Sequence, residues 1–199
     1  QKPILHGVDL VIHAASKYLG GHSDTVAGVV VGSKEHIARI NRMTYPYLGA
    51  KLSPFEAWLL LRGIRTLPLR MAQHMKSGLV LAERLRDHPA ITRVRHPAFL
   101  DHPGKASLTG FAGLFAFDVC DAIDVPAFAD ALTHIRLGVS WGGPETLIVP
   151  AQAPLRLPDE SNSFTRFGVN DRTIRFAVGL EDPDLLWRDL DQALELGRR

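Results

Sequence analysis

The sequence predicts an α/β fold, and three observations predict it. Short apolar runs rich in β-branched residues, Val8 to His13 and Val26 to Gly32, read as strands. Stretches with apolar residues three and four apart follow them and read as helices. In the second half of the chain the two patterns intermingle, as in a small α+β domain. Apolar residues make up 46% of the 199, enough for a sizeable core in one domain or two.

Taken in order, the two opening runs have the continuous apolar character of strands in a buried, mostly parallel sheet, with Lys17 on their connection. Ser33 is placed to cap a helix running to about Met43, with Glu35 in its first turn. Ser53-Pro54-Phe55-Glu56 is a capping box with proline at the first helical position. The helix it opens carries Trp58, Leu59 and Leu61, and Gly63 is expected to loosen it. From about Leu67 to His88, Met71, Met75, Leu79, Ala82 and Leu85 mark a long amphipathic helix stopped by Pro89, expected to link two domains. Beyond it, Ile91 to Val94, Gly113 to Val119 and Ile174 to Val178 read as strands, and Val125 to Thr133 and Asp184 to Leu196 as helices. Tyr45 to Gly49 and Pro150 to Asn170 read as loops, the latter containing Pro154 and Pro158. Arg93, Arg95 and His96 read as a solvated strand end.

Charge and cysteine content exclude several classes of function. With 23 basic and 21 acidic side chains the formal charge is +2, too balanced for a nucleic-acid partner. No run of about eighteen apolar residues is present to span a membrane. The single cysteine, Cys120, cannot form an intrachain disulfide; beside the apolar run Phe111 to Val119 it reads as a buried, inert thiol in a reducing, cytoplasmic setting. His22 and Asp24, two apart with no partner cluster, fall short of a metal site and are expected to brace the loop after Lys17.

Lys17 carries the first chemical signal. An apolar strand delivers its amine into a small, polar, glycine-containing loop, which suits a Schiff-base nucleophile as well as an ordinary solvated lysine. The adjacent Ser16 hydroxyl can hydrogen-bond a phosphate oxygen. Arg175 alternates with Ile174 and Phe176 and so lies on the opposite face of its strand, where pocket and solvent both remain open. A guanidinium in a pocket fixes a carboxylate with two parallel hydrogen bonds, which lysine cannot do.

The segment through Lys17, Tyr18, Gly21, His22, Ser23 and Asp24 resembles the cofactor-lysine segment of the Cys/Met-metabolism family of pyridoxal-phosphate enzymes. Ser16 stands where that family usually has threonine, and Ala14 where it often has serine. Val139 to Ile148 resembles the family's second signature and Thr173 to Asp182 its third, while Arg62 to Leu67 and Gly113 to Phe117 extend the resemblance over essentially the whole chain. It implies the fold of a type I, PLP-dependent transferase-like enzyme, with residues 1–65 the remainder of the large cofactor domain and 66–199 a linking helix and small C-terminal domain. It further implies pyridoxal 5'-phosphate as cofactor, Lys17 as its Schiff-base partner and as general base, and Ser16 on its phosphate. Arg175 would hold the substrate carboxylate, Ser140 would support it, and Trp141 would shape the pocket, with Gly142 and Gly143 allowing close backbone approach. Pro144 stands where the family often has an aromatic residue.

The Ser-Trp-Gly-Gly form of the second signature resembles that of bacterial cystathionine β-lyases. It implies β-elimination of a sulfur amino acid in methionine biosynthesis, with γ-synthase or γ-lyase chemistry as the alternative. Members of the family are considerably longer, and a phosphate loop, a stacking aromatic and an aspartate for the pyridine nitrogen precede their lysine. Only sixteen residues precede Lys17. The resemblance therefore implies the C-terminal half of a longer enzyme, inactive as this chain alone and completed by an N-terminal half in a homotetramer.

Overall fold

Two strands, β1 (Leu10–Ala14) and β2 (Gly28–Gly32), pair antiparallel with Ile12 opposite Val30. The computed structural model describes residues 1–49, 51–155 and 162–199, and β1 and β2 belong to the first of two units, Gln1–Pro68 and Leu69–Arg199. This pair runs antiparallel where strands of a mostly parallel sheet were expected: the Ala15–Ala27 loop turns the chain back on itself. Apolar alternation says what the strand faces accept, while direction is set by the connection between them.

Helix α1 (Lys34–Met43) starts where Ser33 accepts a hydrogen bond from the His36 amide, with Glu35 in its first turn. A π-helical turn at Thr44–Leu48 occupies the expected loop. Helix α2 (Pro54–Arg65) opens with the full capping box: Ser53 Oγ accepts from the Glu56 amide, and the Glu56 carboxylate accepts from the Ser53 amide. Gly63 does not loosen this helix. It is buried, and a Cβ there would collide with the carbonyl of Gly20, so the missing side chain lets two backbone segments meet.

The second unit is a five-stranded sheet with helices packed on one face. Helix α3 (Leu67–Arg86) precedes β3 (Ile91–Arg95) and β4 (Leu114–Val119), then come α4 (Val125–Ala131), β5 (Arg136–Leu137), β6 (Leu147–Pro150), the one-turn helices α5 (Gln152–Leu155) and α6 (Ser163–Arg166), β7 (Thr173–Ala177) and α7 (Pro183–Leu196). Strand order is β3-β4-β7-β6-β5, antiparallel except for the β5–β6 pair. Phe117, Ile148, Ile174 and Phe176 point from the sheet into a core with Leu81 and Leu85 of α3, Phe128 of α4, and Leu186, Leu190 and Leu194 of α7. β5 and β6 are strands where the sequence pattern marked none, and α5 and α6 fall in an expected loop; Pro158 lies outside the described residues.

The expected solvated strand end holds for Arg93, which is exposed, and is corrected for Arg95 and His96. Arg95 makes a bidentate pair with Asp118 at 2.6 and 2.5 Å, and the Thr173 hydroxyl donates to the same carboxylate at 2.6 Å. Burial alone pushes the Asp118 carboxyl up, but the hydrogen bonds from Arg95 and Thr173 and the charges of Arg95 and Arg93 outweigh it and hold it below the usual value. His96 is fully buried among Phe99, Phe111 and Phe115, its Nδ1 accepting from the Ala98 amide. Cys120 is half-buried.

Two tests of this packing follow. Gly63→Ala should cost about 1–3 kcal/mol from overpacking against Gly20, read as a lowered urea midpoint; an unchanged midpoint would show that the two backbones can separate freely. Burial, the largest cause for each, holds His74 and His96 below the usual histidine value. The unfolded chain therefore binds more protons than the folded one as pH falls below about 6.5, and stability present above that value is lost. Asp118 adds a second loss at lower pH, as its carboxyl protonates in the folded state. Urea midpoints should fall between pH 7 and 5 and fall again in strong acid; a flat profile to pH 5 would contradict buried neutral histidines.

Candidate functional site

Lys17 sits in a tight turn that leaves the end of β1. The Lys17 amide donates to the Ala14 carbonyl at 3.2 Å, the Gly20 amide to Ala15 at 2.8 Å, and the Gly21 amide to the Lys17 carbonyl at 2.7 Å. Ala15, Gly20 and Gly21 are buried while Lys17 is half-buried, so the backbone is fixed and the amine stands at a boundary. Gly21 has φ +73°, a left-handed conformation that costs glycine nothing. Ser16 Oγ accepts from the Ala27 amide at 2.8 Å and donates to the Ala27 carbonyl at 3.2 Å. This hydroxyl therefore ties the lysine turn to the segment entering β2. His22 Nδ1 donates to the Gly20 carbonyl at 2.8 Å, and Asp24 accepts from the Thr25 hydroxyl at 3.1 Å.

In the second unit Arg175, Ser140 and Trp141 come together. Arg175 lies on β7 between Ala116 of β4 and Val149 of β6, on the face away from Ile174 and Phe176. Its Nη2 donates to the carbonyls of Ser140 at 2.8 Å and Gly138 at 3.3 Å, and its guanidinium carbon stands 5.4 Å from the Trp141 ring centroid. Nε is buried with no hydrogen-bond partner among the described residues. Burial lowers the Arg175 pKa, yet an arginine keeps its charge. The corner thus presents a fixed cation compensated by carbonyl dipoles and a ring face, with a donor to spare, which is the arrangement that receives an anion.

Buried polar side chains that the sequence did not single out lie on α7 and α3. Asp189 of α7 is buried and accepts from the amides of Thr133, His134 and Ile135, each at 2.9 Å, fixing the approach to β5. On α3, Arg70, His74 and Ser77 form a buried polar stripe, and His74 Nδ1 donates to the Val178 carbonyl at 2.9 Å just past β7. Their spacing of four and three was readable; their burial on a helix with apolar residues on other faces was not. Among the described residues no group of three His, Cys, Asp or Glu side chains could hold a metal ion.

Residues 1–195 match the family described as Cys/Met metabolism PLP-dependent enzyme. The chain is 38% identical over 201 residues to the cystathionine beta-lyase of Lactococcus lactis subsp. cremoris strain MG1363, covering 98% of this chain and 52% of that protein. It is equally 38% identical, with the same coverage, to the cystathionine gamma-lyase of Bacillus subtilis strain 168. Its structure is similar to the crystal structure of cystathionine gamma-lyase from Lactobacillus plantarum complexed with L-serine, with a TM-score of 0.89, 33% identity, and coverage of 99% of this chain and 53% of that one. The chain spans about half the length of the curated relatives it matches.

The geometry around Lys17 makes a direct prediction. Ser16→Ala removes both bonds to Ala27 and should cost about 1 kcal/mol while speeding amide hydrogen exchange at Ala27. Exchange as slow as in the unaltered protein would show that the lysine turn is held without this hydroxyl.

Proposed function

The chain belongs to the Cys/Met metabolism PLP-dependent enzyme family and has the fold type I architecture of such enzymes, and on that premise we propose that it is the C-terminal half of a carbon–sulfur lyase cleaving cystathionine by β-elimination. The observation that carries the reading is the Arg175 corner: a half-buried arginine whose Nε is buried and unmet, braced by the Ser140 carbonyl and faced by Trp141. An α-amino acid brings the carboxylate that such a corner lacks. The Ser140-Trp141-Gly142-Gly143 sequence, with its resemblance to β-lyases, favours β- over γ-cleavage.

The residues in hand fit pyridoxal phosphate by the chemistry of their donors. Lys17 supplies an amine able to meet an aldehyde, and Ser16 supplies a hydroxyl beside it on the same fixed turn. Lys17 and Ser16 would hold the group, the hydroxyl turning from the Ala27 carbonyl to a phosphate oxygen. When bound, the group supplies an electron-accepting ring that stabilises negative charge on the substrate Cα. The Lys17 amine would then take the Cα proton and return one. Arg175 orients the substrate by its carboxylate, and Trp141 covers the guanidinium face and keeps water from it. With water, cystathionine would yield homocysteine, pyruvate and ammonia.

Residues 1–65 would be the remainder of the cofactor domain and 66–199 the linking helix and small domain. The working protein would be a cytoplasmic homotetramer that includes the N-terminal half. It would act in methionine biosynthesis, without a nucleic-acid or membrane partner. Among the described residues no helix is long and apolar enough to cross a membrane.

Product analysis tests the reaction. The full-length protein loaded with pyridoxal phosphate and given cystathionine should release homocysteine and pyruvate. Cysteine and 2-oxobutyrate would instead establish γ-cleavage, the chemistry named for the Bacillus subtilis and Lactobacillus plantarum relatives. Borohydride reduction followed by peptide mapping should place a pyridoxyl group on Lys17, and Lys17→Ala should abolish it. Arg175→Lys, which keeps the charge but loses the planar fork, should raise KM so that kcat/KM falls about tenfold to a hundredfold; an unchanged KM would remove Arg175 from the carboxylate.

A further inference from the structure

We infer that Glu181, acting through Thr146, is a positioning residue that holds the Ser140–Trp141 corner in register with Arg175, and thereby sets affinity for the substrate carboxylate. The inference rests on the proposed role of that corner.

The corner lies on the loop from β5 to β6 and meets Arg175 through two carbonyl contacts and a ring contact. At its far end the loop is held by a clamp. Thr146 is 1% exposed, and it is bound from both sides. Its amide donates to Glu181 Oε1 at 2.6 Å and its hydroxyl donates to Oε2 at 2.7 Å, so one carboxylate grips both polar groups of one residue. The same hydroxyl accepts from the Gly179 amide at 2.8 Å. Two residues earlier in the turn, the Pro144 carbonyl accepts from the Leu180 amide at 2.8 Å. The Thr146 carbonyl in turn accepts from the Arg136 amide at 3.3 Å, which closes the base of the loop.

Gly179 makes the clamp possible. A Cβ there would collide with the Pro144 carbonyl oxygen and the Glu181 carboxylate, so only glycine lets the chain leaving β7 lie against the 144–146 turn. Arg175 and Glu181 are on one continuous segment, and Ser140 and Thr146 on another. The clamp therefore fixes the same two segments whose separation decides whether the Ser140 carbonyl and the Trp141 ring reach the guanidinium. A charge-assisted pair of hydrogen bonds to a buried threonine is stiff enough for this task.

The test compares Thr146→Val, which keeps the shape and removes the hydroxyl, with Thr146→Ser, which restores it, and with Glu181→Gln, all in the full-length protein loaded with pyridoxal phosphate. Thr146→Val should raise KM for cystathionine about tenfold with kcat changed less than about threefold, Thr146→Ser should recover most of that loss, and Glu181→Gln should fall between them. Trp141 emission, taken as the difference from the Trp141→Phe protein, should shift to the red in Thr146→Val as the ring leaves the guanidinium. A folded Thr146→Val protein with unchanged KM and unchanged Trp141 emission overturns the inference, as does a loss confined to the amount of active protein. If Thr146→Val does not fold, Glu181→Gln decides by the same two readouts. If the unaltered protein turns over no sulfur amino acid, the proposed function fails on its own, and the emission shift still decides whether the clamp positions the corner.

Discussion

A guanidinium cannot give up its charge, and β7 carries Arg175 to the middle of a five-stranded sheet. The surrounding chain must then supply acceptors or suffer the cost of an unmet, partly buried cation. Arg95 shows the ordinary solution on the same surface. It lies opposite Ala116 on β3, as Arg175 does on β7, so both arginines share one face with a small residue between them. Arg95 is neutralised by the two oxygens of Asp118. Arg175 receives two carbonyl dipoles and an aromatic face, which lower its energy without cancelling its charge. The first arginine's charge is met within the fold, and the second's is left without a carboxylate among the described residues, as the proposed role of Arg175 requires.

Close backbone contact is the second constraint, and glycine answers it in both units. Gly63 admits the Gly20 carbonyl next to the lysine turn, and Gly179 admits the 144–146 turn next to β7. In each case the contact lies a few residues from a side chain with a proposed chemical role, Lys17 in one and Arg175 in the other. Loops carrying such groups have no regular ladder of their own. They borrow rigidity from a neighbouring segment at hydrogen-bonding distance, and a side chain at the contact would force the segments apart.

What could be read beforehand follows from how local the cause is. Ser33 and the Ser53 to Glu56 box act within one helical turn, so the starts of α1 and α2 were legible to the residue. The Lys17 turn, the Ser140–Trp141 corner and the Arg175 strand were legible as sequence signatures, and alternation placed Arg175 on the correct face. Direction in the β1–β2 pair was not, because apolar content is the same for a parallel and an antiparallel neighbour. The pairing of Arg95 and the burial of His96 were not either: they depend on Asp118 and on Phe111 and Phe115, which arrive from elsewhere in the chain. β5 has only two residues and exists because Thr146 and Ile148 offer it carbonyls, a cause that no window around Arg136 contains.

The two halves of the candidate chemistry are consequently exposed to different failures. Lys17 depends on local hydrogen bonds, those of Ser16, Gly20 and Gly21, which a small change in the turn can loosen without disturbing the fold. Arg175 depends on register. In a strand a slip of one residue exchanges the two faces, and would send the guanidinium into the core among Phe117 and Leu190 while turning Ile174 or Phe176 outward. That exchange is opposed by every apolar side chain on the core face at once. The position of the cation is therefore guaranteed by the same burial that folds the second unit, and the adjustable part is the loop that meets it. Variation in substrate preference among proteins with this architecture would on this reasoning be found in the 138–146 segment rather than in β7, because the loop can change shape while the strand can only be kept or lost.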